Sequence, residues 1–296
     1  MDLVLTLIAA PNSNALGDDI VARAKTVLAG AGARVGDVSW LATREACDIG
    51  FAGLSLDIAD TALRDAGLGV DAVTQTAKTR RKKLLIADMD STMVTGETLD
   101  ELAAFAGVKD HVAAITARAM NGELDFEAAL DERVGLLDGM STDMLAEAWK
   151  EIEYTSGAKT LVATMKANGA FAALVSGGFD YFTGAVRREL GFDFDQANVL
   201  ITQDGKLTGK VQKPVLDRQA KVDALEKLTA EQGIGVEDAI AVGDGANDLQ
   251  MISLAGTGVA FHAKPAVQEQ ARICINHGDL TALLYLQGYA KSDFVI

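Results

Sequence analysis

The chain has 296 residues, of which 49% are hydrophobic and 23% charged, and its formal net charge is −15. That length holds one large domain and a smaller one, and the composition is that of a globular rather than a disordered chain. So acidic a balance excludes a sequence-independent grip on nucleic acid or on an anionic membrane, both of which need excess Lys and Arg. A phosphorylated small molecule remains compatible, because a few local cations and a metal override the global field at short range.

Cys47 and Cys274 stand far apart and share no metal-ligand spacing. Cys274, within Arg272-Ile273-Cys274-Ile275, reads as a buried free thiol, with a bridge to Cys47 as the less favoured alternative. No apolar run nears the ~20 residues of a membrane-spanning helix. The N-terminal Met-Asp-Leu-Val-Leu-Thr-Leu-Ile run lacks a basic leader and carries Asp2, so it reads as a strand, and a cytoplasmic protein is expected.

In chain order, Leu3 to Ala9 reads as a strand and Ala15 to Gly30 as a helix ended by glycine. Val35 to Leu41 and Ala46 to Ala52 read as strands, Leu56 to Ala66 as a second helix, and Val70 to Thr76 as a last strand. This βαββαβ order predicts a small ferredoxin-like domain over residues 1–80, similar to the regulatory domains called ACT domains. Dimerisation or support of the rest of the chain is its expected role, which leaves room for a homodimer. Serine sensing is the alternative, although Pro11-Asn12-Ser13-Asn14 offers no glycine-containing ligand loop. The basic stretch Lys78 to Lys83 reads as a solvated linker.

From Leu84 the pattern changes to alternating strands and helices, which predicts an α/β fold with a parallel sheet over residues 81–296. Leu84 to Ala87, Ala170 to Val175, Ala239 to Val242 and Gly258 to Phe261 are its strands. Residues 97–160 show helical stripes and no strand, so they read as a helical insertion after the first core strand. Asn198 to Thr202, an Asp204-Gly205 turn and Lys206 to Val211 spell a β-hairpin.

Acidic and hydroxyl residues recur where these strands end. Asp88-Met89-Asp90 follows an apolar strand; residues at i and i+2 share a face, and the carboxyl end of a parallel strand opens onto the ligand crevice. Gly243-Asp244-Gly245-Ala246-Asn247-Asp248 repeats that logic, and together the aspartates supply hard oxygen donors suited to Mg²⁺. Ser176-Gly177-Gly178 offers a hydroxyl and backbone N–H groups suited to phosphate at a helix N-terminus. Lys221 lies in a helical run. Taken singly, each aspartate cluster favours a site over a solvated turn, the Ser176 strand end reads equally as a ligand site or an empty helix cap, and Lys221 reads as a surface lysine.

Together, in this order, the four motifs resemble the haloacid dehalogenase superfamily, and the resemblance covers residues ~84–290. It narrows to the branch acting on phosphoserine through Met89, Ser91-Thr92, Glu97, the run from Asn121 through Phe126 to Arg133, Gly243 to Leu249, and Gly258 to Pro265. The resemblance implies a Rossmann-like core with a helical cap at about 97–160. It also implies Mg²⁺-dependent hydrolysis of O-phospho-L-serine, the last step of serine biosynthesis, through an aspartyl-phosphate. Asp88 is then the nucleophile and Asp90 the general acid and base, with Lys221 assisting. Asp88, the Asp90 carbonyl and Asp244 hold the metal, with Asp248 as a further ligand or a support. Ser176, Gly177, Lys221 and Asn247 meet the phosphate side of the substrate, while Glu97, Arg133 and Phe126 take its ammonium, its carboxylate and the cavity mouth. The rival readings are another small phosphate ester, phosphoryl transfer to an acceptor alcohol, and a ligand-sensing module on an inactive core. His111, His262 and His277 share no ligand spacing and are given no catalytic part.

Overall fold

A computed structural model describes residues 1–120 and 123–296; Asn121 and Gly122, which open the Asn121-to-Arg133 run, lie outside the described residues. The first unit comprises β1 (Leu3–Ile8), α1 (Asp18–Gly30), β2 (Arg34–Ala42), β3 (Ala46–Ala52), α2 (Leu56–Ala66) and β4 (Asp71–Thr76). Its strands form an antiparallel sheet of order β2-β3-β1-β4. Period-2 alternation puts Leu5, Leu7, Ile49 and Phe51 on one face, buried with Val21 and Leu28 of α1 and Leu63 of α2. α1 begins at Asp18 rather than Ala15: Gly17 caps it in extended geometry, and Asp18 and Asp19 occupy the first turn, where the helix dipole favours acids.

The second unit opens with β5 (Leu84–Ala87) and β6 (Val94–Thr95), followed by α3 (Thr98–Phe105), α4 (Lys109–Met120), α5 (Phe126–Gly135), α6 (Asp143–Lys150) and β7 (Glu153–Tyr154). β7 is a strand inside the stretch read as strand-free. It pairs antiparallel with β6, so this short ribbon brackets the four inserted helices. Two residues in each strand are too few to leave an alternation in the sequence.

The sheet resumes after α7 (Ala158–Ala167) with β8 (Phe171–Phe179), α8 (Asp180–Leu190) and β9 (Phe194–Asn198). The hairpin of β10 (Leu200–Gln203) and β11 (Lys206–Val211) follows, turning on Asp204 and Gly205 at φ 52° and 74°, as a type I′ turn requires. α9 (Arg218–Glu231), β12 (Ala239–Gly243), α10 (Leu249–Leu254), β13 (Thr257–Phe261), α11 (Pro265–Gln268), β14 (Ile273–Ile275) and α12 (Ala282–Leu286) complete the chain.

The larger sheet is parallel throughout, in the order β14-β13-β12-β5-β8-β9. Helices cover both faces, which is why β5 is apolar at every position. Leu84 and Ile86 pack with Leu225 and Leu228 of α9, while Leu85 and Ala87 pack on the opposite side with Leu161 and Val162 of α7. The α/β parallel core expected from the sequence is the one observed. β5 lies between β12 and β8, so the carboxyl ends of the three strands open side by side.

The second face of the smaller sheet is covered by the rest of the chain: Ile8, Ala46 and Val73 belong to one apolar cluster with Leu283, Tyr285 and Leu286 of α12. Polar contacts pin the same junction. The Asp71 carboxylate accepts from the amides of Asn276, His277 and Gly278 at 2.8, 3.1 and 2.8 Å. Glu45 accepts from Tyr285 Oη and pairs with Lys291 Nζ, both at 2.7 Å. Cys47 is buried and Cys274, read as buried from its apolar neighbours, is only half-buried; both are free. Among the described residues no helix is long and apolar enough to cross a membrane.

Candidate active site

The parallel ladder carries the first aspartate to its place. The Asp88 amide donates to Val242 O at 3.0 Å, extending the β5–β12 pairing one residue past the strand. Beyond it the chain turns sharply, with the Met89 carbonyl accepting from Met93 and Val94 and with Ser91 in left-handed geometry at φ 54°. Lys221, in the first turn of α9 and 1% exposed, extends beneath the strand ends. Its Nζ lies 2.6 Å from Asp88 Oδ1 and 2.5 Å from Asp248 Oδ1.

Asp248 depends on two glycines. Its Oδ2 accepts from the Gly245 amide at 3.0 Å, and a Cβ on Gly243 would come within 2.3 Å of its Cγ, so a side chain at 243 would displace it. Asp244 leaves the end of β12, and Thr92 Oγ1 donates to its Oδ1 at 3.4 Å. Asp88, Asp244 and Asp248 are all buried, each with a carboxylate oxygen within 4.8 Å of the others.

The electrostatics follow from this crowding. Burial and the Asp248 charge push Asp88 well above the usual carboxylate range, against the pull of Lys221. Burial, then Asp248 and Glu97, push Asp244 up to about 6. Burial works against the Lys221 charge, but Asp88 and Asp248 outweigh it and hold the ammonium above its ordinary value. Three buried carboxylates facing one ammonium leave an excess of negative charge on hard oxygen donors, and that donor set fits a divalent cation such as Mg²⁺.

Asp90 is held differently. Its Oδ1 accepts from the Thr98 amide at 2.9 Å, which leaves Oδ2 turned toward Gly178; a Cβ there would lie 2.8 Å from it. Burial, and then the Glu97 charge, push Asp90 up to about 7. Glu97 stands exposed before α3 and accepts from Ser91 Oγ at 2.9 Å. Arg133 extends from α5, its Nε donating to Ala129 O at 3.1 Å; burial lowers its guanidinium while Asp100 and Glu97 pull it upward. Phe126, also on α5 and 39% exposed, reaches the core: a Cβ on Gly177 would meet its ring at 3.4 Å.

Ser176 corrects part of the sequence reading. β8 runs on to Phe179 and α8 starts only at Asp180, so Ser176, Gly177 and Gly178 form the irregular end of a strand rather than the first turn of a helix. The Gly178 amide is already committed, donating to Ser176 Oγ at 2.9 Å. Asn247 lies in the turn between Asp244 and Asp248, its Oδ1 folded against Gly245, where a Cβ would meet it at 2.2 Å. His262 Nε2 lies 2.9 Å from Gly278 O, a structural contact at the junction loop.

The structure thus brings together Asp88, Lys221, Asp244 and Asp248, with Asp90 and Ser176 meeting at Gly178 and Phe126 over Gly177. Sequence reasoning missed the Thr98 amide on Asp90, Thr92 behind Asp244, and Gly178 and Gly243 as spacers. The two glycines stand in the motifs and were legible as positions where a close approach is needed. The backbone amide of Thr98 leaves no trace in residue type.

Carboxylates and a lysine gathered at adjoining ends of a parallel sheet are the chemistry of one hydrolase class. Residues 85–253, more than half of the chain, match the haloacid dehalogenase-like hydrolase family, and the chain belongs to it. It is similar to the phosphoserine phosphatase of Streptomyces coelicolor, 41% identical over 84% of this chain, and spans 62% of that protein's length. It is also similar to a solved structure described as a phospho-aspartyl intermediate analogue of phosphoserine phosphatase. That likeness is 46% identical with a TM-score of 0.65, covering 69% of this chain and 98% of the other. A HAD family hydrolase from Salmonella enterica serovar Typhi, 29% identical with a TM-score of 0.84, covers 97% of this chain and 98% of its own.

Proposed function

We propose that the chain hydrolyses O-phospho-L-serine to L-serine and phosphate, using Asp88 as nucleophile. The observation that carries this reading is Lys221 held between Asp88 and Asp248, with Asp244 in the same buried cluster. The resemblance to phosphoserine phosphatases supports the substrate. An Mg²⁺ held by Asp88, Asp244, Asp248 and the Asp90 backbone carbonyl would supply the positive charge that lets a carboxylate approach a phosphate dianion.

A carboxylate oxygen of Asp88 bonds to phosphorus as the bond from phosphorus to the serine oxygen breaks. Asp90, protonated in part at neutral pH because burial and Glu97 raise it to about 7, gives its proton to the departing oxygen. Its Oδ1 is occupied by the Thr98 amide, so Oδ2, beside Gly178, carries the proton. In the second half Asp90 takes a proton from water as the water oxygen bonds to phosphorus and the Asp88–phosphorus bond breaks. Lys221 and Ser176 meet the charge on the non-bridging oxygens. Glu97 pairs with the substrate ammonium and Arg133 with its carboxylate in a bidentate fork. Phe126, over Gly177, keeps bulk water out.

Turnover of L-phosphoserine, phosphoethanolamine (no carboxylate) and glycerol phosphate (neither group) by wild type and Arg133→Lys tests the reading. Wild type is expected to prefer phosphoserine, and the variant to lose at least about tenfold of its preference over phosphoethanolamine. Equal turnover of all three by wild type would discard the substrate.

A further inference from the structure

β8 and β9 lose register at the site. Val175 faces Gln196 and Phe179 faces Asn198, so β8 takes four steps where β9 takes two. Ser176, Gly177 and Gly178 stand where β9 has only Ala197, so this stretch, two residues in excess, bulges out of the ladder, and a bulge leaves main-chain groups without their regular strand partners. Asn198, at the end of β9 and 2% exposed, fills that gap with its side chain. Its Nδ2 donates to Gly177 O at 2.8 Å and to Leu216 O at 3.2 Å, and its Oδ1 accepts from the Leu216 amide at 2.7 Å.

The bond to Gly177 O does more than satisfy a carbonyl. The peptide joining Gly177 to Gly178 is planar, so fixing its oxygen fixes the N–H on its other side. That N–H is the one donated to Ser176 Oγ at 2.9 Å. Asn198 and Ser176 therefore grip opposite edges of one peptide plane. With its oxygen accepting from Gly178, the Ser176 hydroxyl has its own proton free to point into the site. The same plane carries the Gly178 Cα, whose close approach to Asp90 Oδ2 leaves no room for a side chain.

We infer that Asn198 is a positioning residue for phosphate-ester hydrolysis, orienting the Ser176 hydroxyl through the Gly177–Gly178 peptide. It also ties this bulge to Leu216, in the segment whose Lys213 Nζ pairs with Glu127 and Asp131 of α5 at 2.7 and 2.8 Å. The helix bearing Phe126 and Arg133 is thus linked to the strand end it covers. The inference rests on the phosphatase reading above.

The test is a double-mutant cycle of Asn198→Asp and Ser176→Ala, read with L-phosphoserine and p-nitrophenyl phosphate. Asn198→Asp keeps the acceptor for the Leu216 amide but sets a carboxylate oxygen against two carbonyls. It is expected to lower kcat/KM by about tenfold or more, and by the same factor for both esters, because the peptide acts at the phosphate end they share. In the Ser176→Ala background the same change is expected to cost less than twofold, since its route through the hydroxyl is already gone. A merely structural role would lower activity by the full factor in both backgrounds, and that result overturns the inference, as does wild-type kinetics in Asn198→Asp. Asn198→Ala, carried through the same cycle, serves if the aspartate variant does not fold. Wild type inactive on both esters overturns the underlying phosphatase reading instead.

Discussion

Lys221 Nζ lies 2.6 Å from Asp88 and 2.5 Å from Asp248, with all three side chains buried, so one ammonium compensates two of the three clustered carboxylates. Taking one partner from a buried ion pair typically costs ~3–5 kcal/mol, because the charge left behind has no water to meet it. Lys221→Met is expected to melt below wild type in EDTA and to lose at least about 100-fold in turnover of phosphoserine with Mg²⁺ present. Turnover within twofold of wild type would remove Lys221 from the mechanism.

The clustered acids predict a pH signature. Asp88, Asp90 and Asp244 are all raised in the fold, the last two to about 7 and about 6. A raised carboxyl contributes stability that is fully present below its unfolded value near ~4 and lost as pH rises through its folded value. Without metal, Tm is therefore expected to fall between pH 5 and pH 8. A cation binds the deprotonated carboxylates, so the gain in Tm from Mg²⁺ is expected to be larger at pH 8 than at pH 5. Differential scanning fluorimetry at both pH values, with Mg²⁺ or EDTA, checks this; an equal gain at the two values would contradict it.

Gly178 has no left-handed backbone to excuse it, so only space explains its lack of a side chain: a Cβ would stand 2.8 Å from Asp90 Oδ2 and 3.1 Å from Ser176 Oγ. Gly178→Ala is expected to reduce kcat by about tenfold or more while Tm moves by only a few degrees. Unchanged kcat would show that Asp90 can shift without penalty.

Much of the architecture was legible where local signals are strong. β3 (Ala46–Ala52), α2 (Leu56–Ala66) and β5 (Leu84–Ala87) have the bounds read from the sequence, because each is flanked directly by a polar residue or glycine on both sides. Asp88, Ser176 and Asp244 could be placed at strand ends for the same reason. What the sequence hides is defined by distant partners. The Val94–Tyr154 pairing joins residues too far apart for any periodicity to report. Asn198 looked like the first residue of a hairpin strand, since its bond to Gly177 exists only once β8 has slipped against β9. The covering of the smaller sheet by α12 was equally invisible, because Tyr285 and Leu286 resemble any apolar helix face until Ile8 and Val73 meet them.

That junction carries its own prediction. Asp71 accepts from three consecutive backbone amides of the second unit, and hydrogen bonds to a charged group are worth about 1.5–3 kcal/mol each. Asp71→Ala is expected to lower Tm by at least about 5 °C while leaving KM for phosphoserine within twofold, since Asp71 lies outside the active-site cluster. An unchanged Tm would show that the apolar contact alone holds the two units together.

In the proposed reaction Asp88 carries the phosphoryl group of phosphoserine. Phosphate release from L-phosphoserine, measured for wild type and Asp88→Asn with Mg²⁺ and with EDTA, tests it most directly. Turnover is expected in wild type with Mg²⁺ alone, with EDTA abolishing it and the variant falling to background. Sustained release by Asp88→Asn would show that Asp88 is not the nucleophile.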